Sequence, residues 1–190
     1  MQCWRDLGIG FGAFSRMMLG MPQAQLSFPP ARWHIETMPK IDLSQIPETN
    51  ATGYPSPFDQ AVAGRWYRRL APPSGLSEFG VSFVRLESGA WSSQRHWHES
   101  EDEFLVMLSG TAVLIEDDGE RELAPGDCVA WPKGVRNGHH VVNRSDADCT
   151  FLAMSGGEDA GGEYPDIDMR FTAEGYVHKD GTPYPTKRVK

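Results

Sequence analysis

Gly89-Ala90-Trp91-Ser92-Ser93-Gln94-Arg95-His96-Trp97-His98, followed after a short acidic turn by Glu103-Phe104-Leu105-Val106-Met107-Leu108-Ser109-Gly110, is the stretch on which the reading of this chain turns. An extended backbone puts alternate side chains on one face, so His96 and His98 point the same way, as two ligands of one ion must. By the same alternation Ser92 and Gln94 share that inner face, while Arg95 and Trp97 point outward. Glu101, Asp102 and Glu103 compete to supply a carboxylate. Glu103 is preferred because it opens the strand Phe104 to Leu108, where packing holds a side chain still. Glu101 and Asp102 fall in the turn and are expected to be solvated.

Outward from this stretch, short β-rich runs recur between Gly, Pro and Asp breaks: Val81 to Leu86, Thr111 to Ile115, Asp127 to Trp131, His139 to Val142 and Thr150 to Met154. Asp117-Asp118-Gly119 is expected to form the hairpin turn between two of these runs, Thr111 to Ile115 and Asp127 to Trp131. Ala124-Pro125-Gly126-Asp127 reads as another tight turn. No part of this region keeps a 3.6-residue apolar period over ten residues. Many short strands with close turns predict an all-β antiparallel sandwich or barrel, and the absence of a repeat predicts one barrel in the chain.

A second polar cluster runs from Gly126 through Pro132-Lys133-Gly134 to His139, His140 and Asn143. His139 and His140 are adjacent, so on a strand only one of them enters the barrel. His139 is preferred because Val141 then joins it on the inner face. Three imidazoles and one carboxylate, His96, His98, Glu103 and His139, thus form a candidate metal-ligand set. Its nitrogen-rich chemistry suits one divalent transition metal ion, Fe, Mn, Ni, Cu or Zn, and disfavours Mg or Ca, which prefer oxygen shells. Four protein ligands leave two positions open on a six-coordinate ion. Gln94 faces either a substrate or a ligand histidine. Ser92 shares its face, and Met107, Leu105 and Val141 are expected to line the pocket. His34, His178 and the tryptophans Trp91, Trp97 and Trp131 carry no such signal, since isolated histidines and indoles are ordinarily surface or packing groups.

At this point the chain resembles the cupins, a family with a jelly-roll barrel, or double-stranded β-helix, whose two motifs hold one metal ion. The first motif lies on Gly89, His96, His98, Glu103 and Gly110, with one extra residue before His96. The second lies on Gly126, Pro132, Gly134, His139 and Asn143, with two extra residues before His139. Against the motif, therefore, His139 and His140 both stay open as the fourth ligand. The resemblance covers about Phe79 to Gly156, and the flanks look like those of small bacterial cupins described as sugar-phosphate isomerase-like. It implies the fold more firmly than the reaction.

The 190 residues suit one core and not two. Residues 1–37 are expected to lie outside it, as a disordered extension or as sequence upstream of a true start at Met38, with Arg16 arguing against a signal peptide. Residues 38–78 are expected to form an N-terminal arm and edge strand, 79–156 the barrel, and 157–190 a C-terminal arm with a final hairpin at Met169 to Thr172 and Tyr176 to His178. Such a tail covers a barrel edge or crosses to a second subunit, which suggests a homodimer. A net charge of −8 disfavours nucleic acid and anionic membranes as partners and favours a small-molecule ligand. Three cysteines without a CxxC pair fit a reducing, cytoplasmic setting.

Three function classes remain. A Lewis-acid isomerase or epimerase on a sugar phosphate fits the family likeness, though the motifs show no inward Lys or Arg for a phosphate. An Fe(II)-dependent dioxygenase on a chelating substrate is the second. A noncatalytic metal- or ligand-binding protein is the third.

Overall fold

A computed structural model describes residues 40–158 and 161–185. The proposed extension and alternative start, together with Cys3 and His34, lie outside the described residues. In chain order the strands are β1 (Arg65–Arg69), β2 (Gly80–Leu86), β3 (Trp97–His98), β4 (Glu101–Ser109), β5 (Ala112–Glu116) and β6 (Gly119–Leu123). They continue as β7 (Cys128–Trp131), β8 (His140–Val142), β9 (Cys149–Gly157), β10 (Gly162–Tyr164), β11 (Met169–Thr172) and β12 (Gly175–Val177). Among the described residues the only helical turns are short 3-10 segments at Leu43–Gln45 and Pro72–Ser74.

Alternation builds the main wall. Along β4, Glu101, Glu103, Leu105 and Met107 are buried, while Asp102, Phe104 and Leu108 are exposed, as expected of a strand with one face on a core. β9 repeats the pattern with Cys149, Phe151, Ala153 and Ser155 inside. These strands lie side by side in an antiparallel sheet of order β1-β2-β9-β4-β7. A second sheet, β6-β5-β8, contributes Leu123, Ala112, Leu114 and Val141 to one apolar cluster with Tyr67, Val84, Leu86, Leu105, Met107 and Phe151 from the first. Each such large apolar side chain contributes about 1.5–3 kcal/mol by leaving water. The result is an all-β jelly-roll barrel.

A third sheet, β12-β11-β10-β3, brings the C-terminal arm against the barrel. Single bridges at Trp91↔Val142 and His96↔His139 continue it toward β8. Its own apolar cluster joins Tyr164, Met169 and Phe171 to Tyr54 and Val62 of the N-terminal arm. The arm thus covers the chain's own barrel, and the expected hairpin is present as β11 and β12.

Two local expectations are corrected. The Asp117-Asp118 turn leads into β6, which pairs with β5 from Ala112↔Leu123 to Glu116↔Gly119. The run Asp127 to Trp131 instead pairs with β4 through Glu103↔Trp131. Gly119-Glu120-Arg121-Glu122 lacks apolar alternation and is exposed, so β6 carries no hydrophobic signature. Second, residues 92–95 are bends and not strand, so alternation does not govern them. The Ala124 to Asp127 turn forms as read: Asp127 N–H donates to the Ala124 carbonyl at 3.0 Å, and Gly126 takes the positive φ that a type II turn requires.

Candidate metal centre

The two polar clusters meet at the junction of β3, β4 and the approach to β8. The Pro132–Gly134 turn is docked on the first cluster, with Gly134 N–H donating to the His98 carbonyl at 2.8 Å. Lys133 N–H donates to Asp102 at 2.8 Å. His96 and His139 exchange backbone hydrogen bonds of 3.2 and 2.8 Å, which sets the two clusters in register. Buried Asn143 ties the end of the second cluster to the Leu86 and Ala147 carbonyls.

Three donor atoms, from His96, His98 and Glu103, converge as a consequence, and His139 meets the same carboxylate from one side. His96 Nε2 lies 3.1 Å from His98 Nε2, and Glu103 Oε2 lies 3.7 Å from the first and 3.3 Å from the second. His139 Nε2 is 2.8 Å from the same carboxylate oxygen. Donors about 2.1 Å from one ion are about 3.0 Å apart when at right angles and about 3.4 Å apart when tetrahedral, so the separations among His96, His98 and Glu103 approach those of a single coordination shell.

The opposite nitrogens explain the aim. His96 Nδ1 faces the Gln94 carbonyl at 2.9 Å, His139 Nδ1 the Asn137 carbonyl at 3.2 Å, and His98 Nδ1 the Glu101 carboxylate at 3.2 Å. The two carbonyl contacts require a hydrogen on Nδ1 and leave a lone pair on Nε2 of His96 and His139. Burial holds the His96 imidazole well below, and that of His98 below, the usual histidine range, against the attraction of Glu103. Burial alone would raise the Glu103 carboxyl, but His98 and His139 outweigh it and hold it well below the carboxylate range. With the His96 and His98 rings held neutral by burial, their 3.1 Å Nε2–Nε2 approach brings two ring nitrogens to the Glu103 carboxylate. Two ring nitrogens and a carboxylate aimed at one point, with a third imidazole beside the same carboxylate, fit a divalent transition metal ion.

The structure also shows where the remaining expected site residues stand. Ser92 lines a cavity of about 20 Å³ with His96, Glu103, Leu105, His139 and Val141, and its hydroxyl accepts from Val141 N–H at 2.9 Å. Gln94 turns away from the donors: its Nε2 donates to the Phe58 carbonyl at 2.8 Å, because the bend at 92–95 frees it from strand alternation. Met107 belongs to the barrel core and not to that cavity's wall. His140 lines the cavity too, but its Nδ1 meets the Ser93 carbonyl at 3.0 Å and its ring packs edge-on against Trp91.

Other neighbours of the donors escaped the sequence reading. Glu101 was expected in solvent, yet it is 1% exposed and held against His98. Its two-residue spacing from Glu103 on a strand was the available signal. Trp97, expected to point outward, is buried, with the Arg136 guanidinium 5.2 Å from its ring. Trp131 stacks on His139 with ring centroids 4.1 Å apart. Phe171 packs against His98 at 5.0 Å and Tyr164 against His96 at 5.6 Å, both from the C-terminal arm. Arg95 clamps that arm through Asp166 at 2.5 and 2.7 Å and also pairs with Asp117.

Residues 82–155 match the family described as Cupin domain. The chain is similar to the crystal structure of a sugar phosphate isomerase from a cupin superfamily in Silicibacter pomeroyi, at 42% identity and a TM-score of 0.73. That match covers 80% of this chain and 100% of the other. The polyketide cyclase RemF from Streptomyces resistomycificus shares the fold at 19% identity and a TM-score of 0.56, over 69% of this chain and 87% of its own. No curated protein matches the sequence. No helix among the described residues is long and apolar enough to cross a membrane.

Proposed function

Because the chain belongs to the cupin superfamily, we propose that His96, His98, Glu103 and His139 hold one divalent transition metal ion at a small-molecule site, and that the protein is a metal-dependent isomerase of the sugar-phosphate type. The convergence of His96, His98 and Glu103, with His139 against the same carboxylate oxygen, carries this reading. Carbonyl contacts at Nδ1 of His96 and His139, and the Glu101 carboxylate beside Nδ1 of His98, support a site shaped before any ion arrives. A bound divalent ion would supply Lewis-acid polarisation of a substrate carbonyl or hydroxyl. The chain's own part is to fix the donors, to exclude water with Trp131, Phe171 and Tyr164, and to place Ser92 and Leu105 along the ligand's path. The cavity has room for little more than a water molecule, so a sugar-sized ligand requires its walls to move. The kind of reaction follows the description of the 42% identical neighbour.

Elemental analysis of the purified protein beside His96→Ala and His139→Ala tests the centre. Stoichiometric metal in the wild type, lost in both variants with the barrel still folded, is the expected result. Metal-free wild type after reconstitution would overturn it. Turnover of a sugar phosphate that is indifferent to oxygen supports the isomerase, whereas oxygen-dependent turnover would replace it with a dioxygenase.

A further inference from the structure

Arg65 is fully buried on the inner face of β1, yet its guanidinium is only partly engaged. Nη1 donates to the Ser92 carbonyl at 2.6 Å. Nε and Nη2 find no hydrogen-bond acceptor among the described residues. The Tyr67 ring, 5.8 Å away, offers only a weak cation–π contact. A guanidinium stays charged at every working pH, and a buried charge with unmet donors is strongly unfavourable. Nε–H and Nη2–H lie on one edge of the planar fork and point in parallel, the geometry that receives two oxygens of one oxyanion.

The residue that anchors Nη1 also ties this fork to the metal centre. Ser92, whose carbonyl accepts from Nη1, lines the same small cavity as His96, Glu103 and His139, so Arg65 is one residue removed from that wall and does not itself line it. We propose that the Nε/Nη2 edge of Arg65 binds the oxyanion, carboxylate or phosphate, of an acidic small molecule. This deepens the small-molecule reading and rests on it for the link to the metal. It also supplies the inward cation that the two sequence motifs lack, since Arg65 lies on β1, upstream of both.

The test follows Tm of the full-length protein during titration with sodium formate or inorganic phosphate, against sodium chloride at matched ionic strength. The expected result is a saturable rise in the wild type, on the order of 5–10 °C at a hundredfold excess over Kd. The rise should vanish in Arg65→Met, which keeps the volume without charge or donors. It should weaken in Arg65→Lys, which keeps the charge without the fork. Response to formate alone marks a carboxylate ligand, and response to phosphate a phosphate monoester. An unresponsive wild type, or a response surviving in Arg65→Met, overturns the proposal. If Arg65→Met does not fold, the wild type and Arg65→Lys decide, because an undiminished response in the latter is equally fatal. His96→Ala separates the two readings: it should lose metal and still respond to the anion, so failure of the metal centre leaves this result standing.

Discussion

Glu101 Oε2 lies 3.2 Å from His98 Nδ1, with both side chains buried, so a carboxylate holds the ring from the side opposite Nε2. Removing its charge while keeping its shape should loosen that hold. Glu101→Gln is expected to raise the metal dissociation constant about 10- to 100-fold with the fold intact, measured by competition with a chelator and by circular dichroism. An unchanged constant would mean that His98 is oriented by packing alone.

Gly162 pairs with both His98 and Phe171, and a Cβ there would meet the Trp97 carbonyl and the Phe171 ring. Neither neighbour is a flexible side-chain end, so Gly162→Ala must part β10 from β3. A loss of about 1–3 kcal/mol in urea denaturation is expected, with new protease cleavage in the C-terminal arm and reduced metal content, although no donor is altered. An arm that stays protected would show that the β3–β10 contact is dispensable.

The two described cysteines should differ sharply toward alkylation. Burial pushes the Cys149 thiol up to about 11 and removes it from solvent, whereas Cys128 is exposed on the outer face of β7. Iodoacetamide should label the Cys128 peptide in native protein and the Cys149 peptide only after unfolding, read by peptide mass spectrometry. Native labelling of Cys149 would show that β9 opens readily.

Acid should destabilise the metal-free protein. His96 and His98 titrate below 6.5 when folded, so the unfolded chain takes up their protons first as pH falls past that value, and stability drops. Glu103 is held below 4.5 when folded, so its contribution is present above that value and is lost as pH falls through the folded one. Both act in the same direction. The urea midpoint of chelator-stripped protein should therefore fall between about pH 7.5 and about pH 5.5, and a flat profile would contradict the buried, neutral imidazoles.

Much of this was legible because it is locally encoded. The two-residue period of Leu105 and Met107 and the Pro125-Gly126 turn specify strands and their breaks from nearest neighbours alone. His96, His98, Glu103 and His139 stand out because few combinations of side chains share that chemistry at that spacing. Gln94 misled because alternation was extended across residues 92–95, where the backbone bends to meet the N-terminal arm at Phe58. β6 was illegible because an exposed strand of Gly, Glu and Arg has no face to bury.

The amino-acid sequence by itself determined an antiparallel β barrel and the donor types available to an ion, because propensity, turn chemistry and side-chain chemistry belong to single residues and their neighbours. Tertiary structure alone decided the partners: Trp131 against His139, the C-terminal arm over the imidazoles, and Arg65 against the Ser92 carbonyl. Those choices sum weak contacts between residues up to about seventy positions apart, such as His98 and Phe171. A sequence-local rule has no access to such sums, because strand register and order are settled by the burial of the whole core at once.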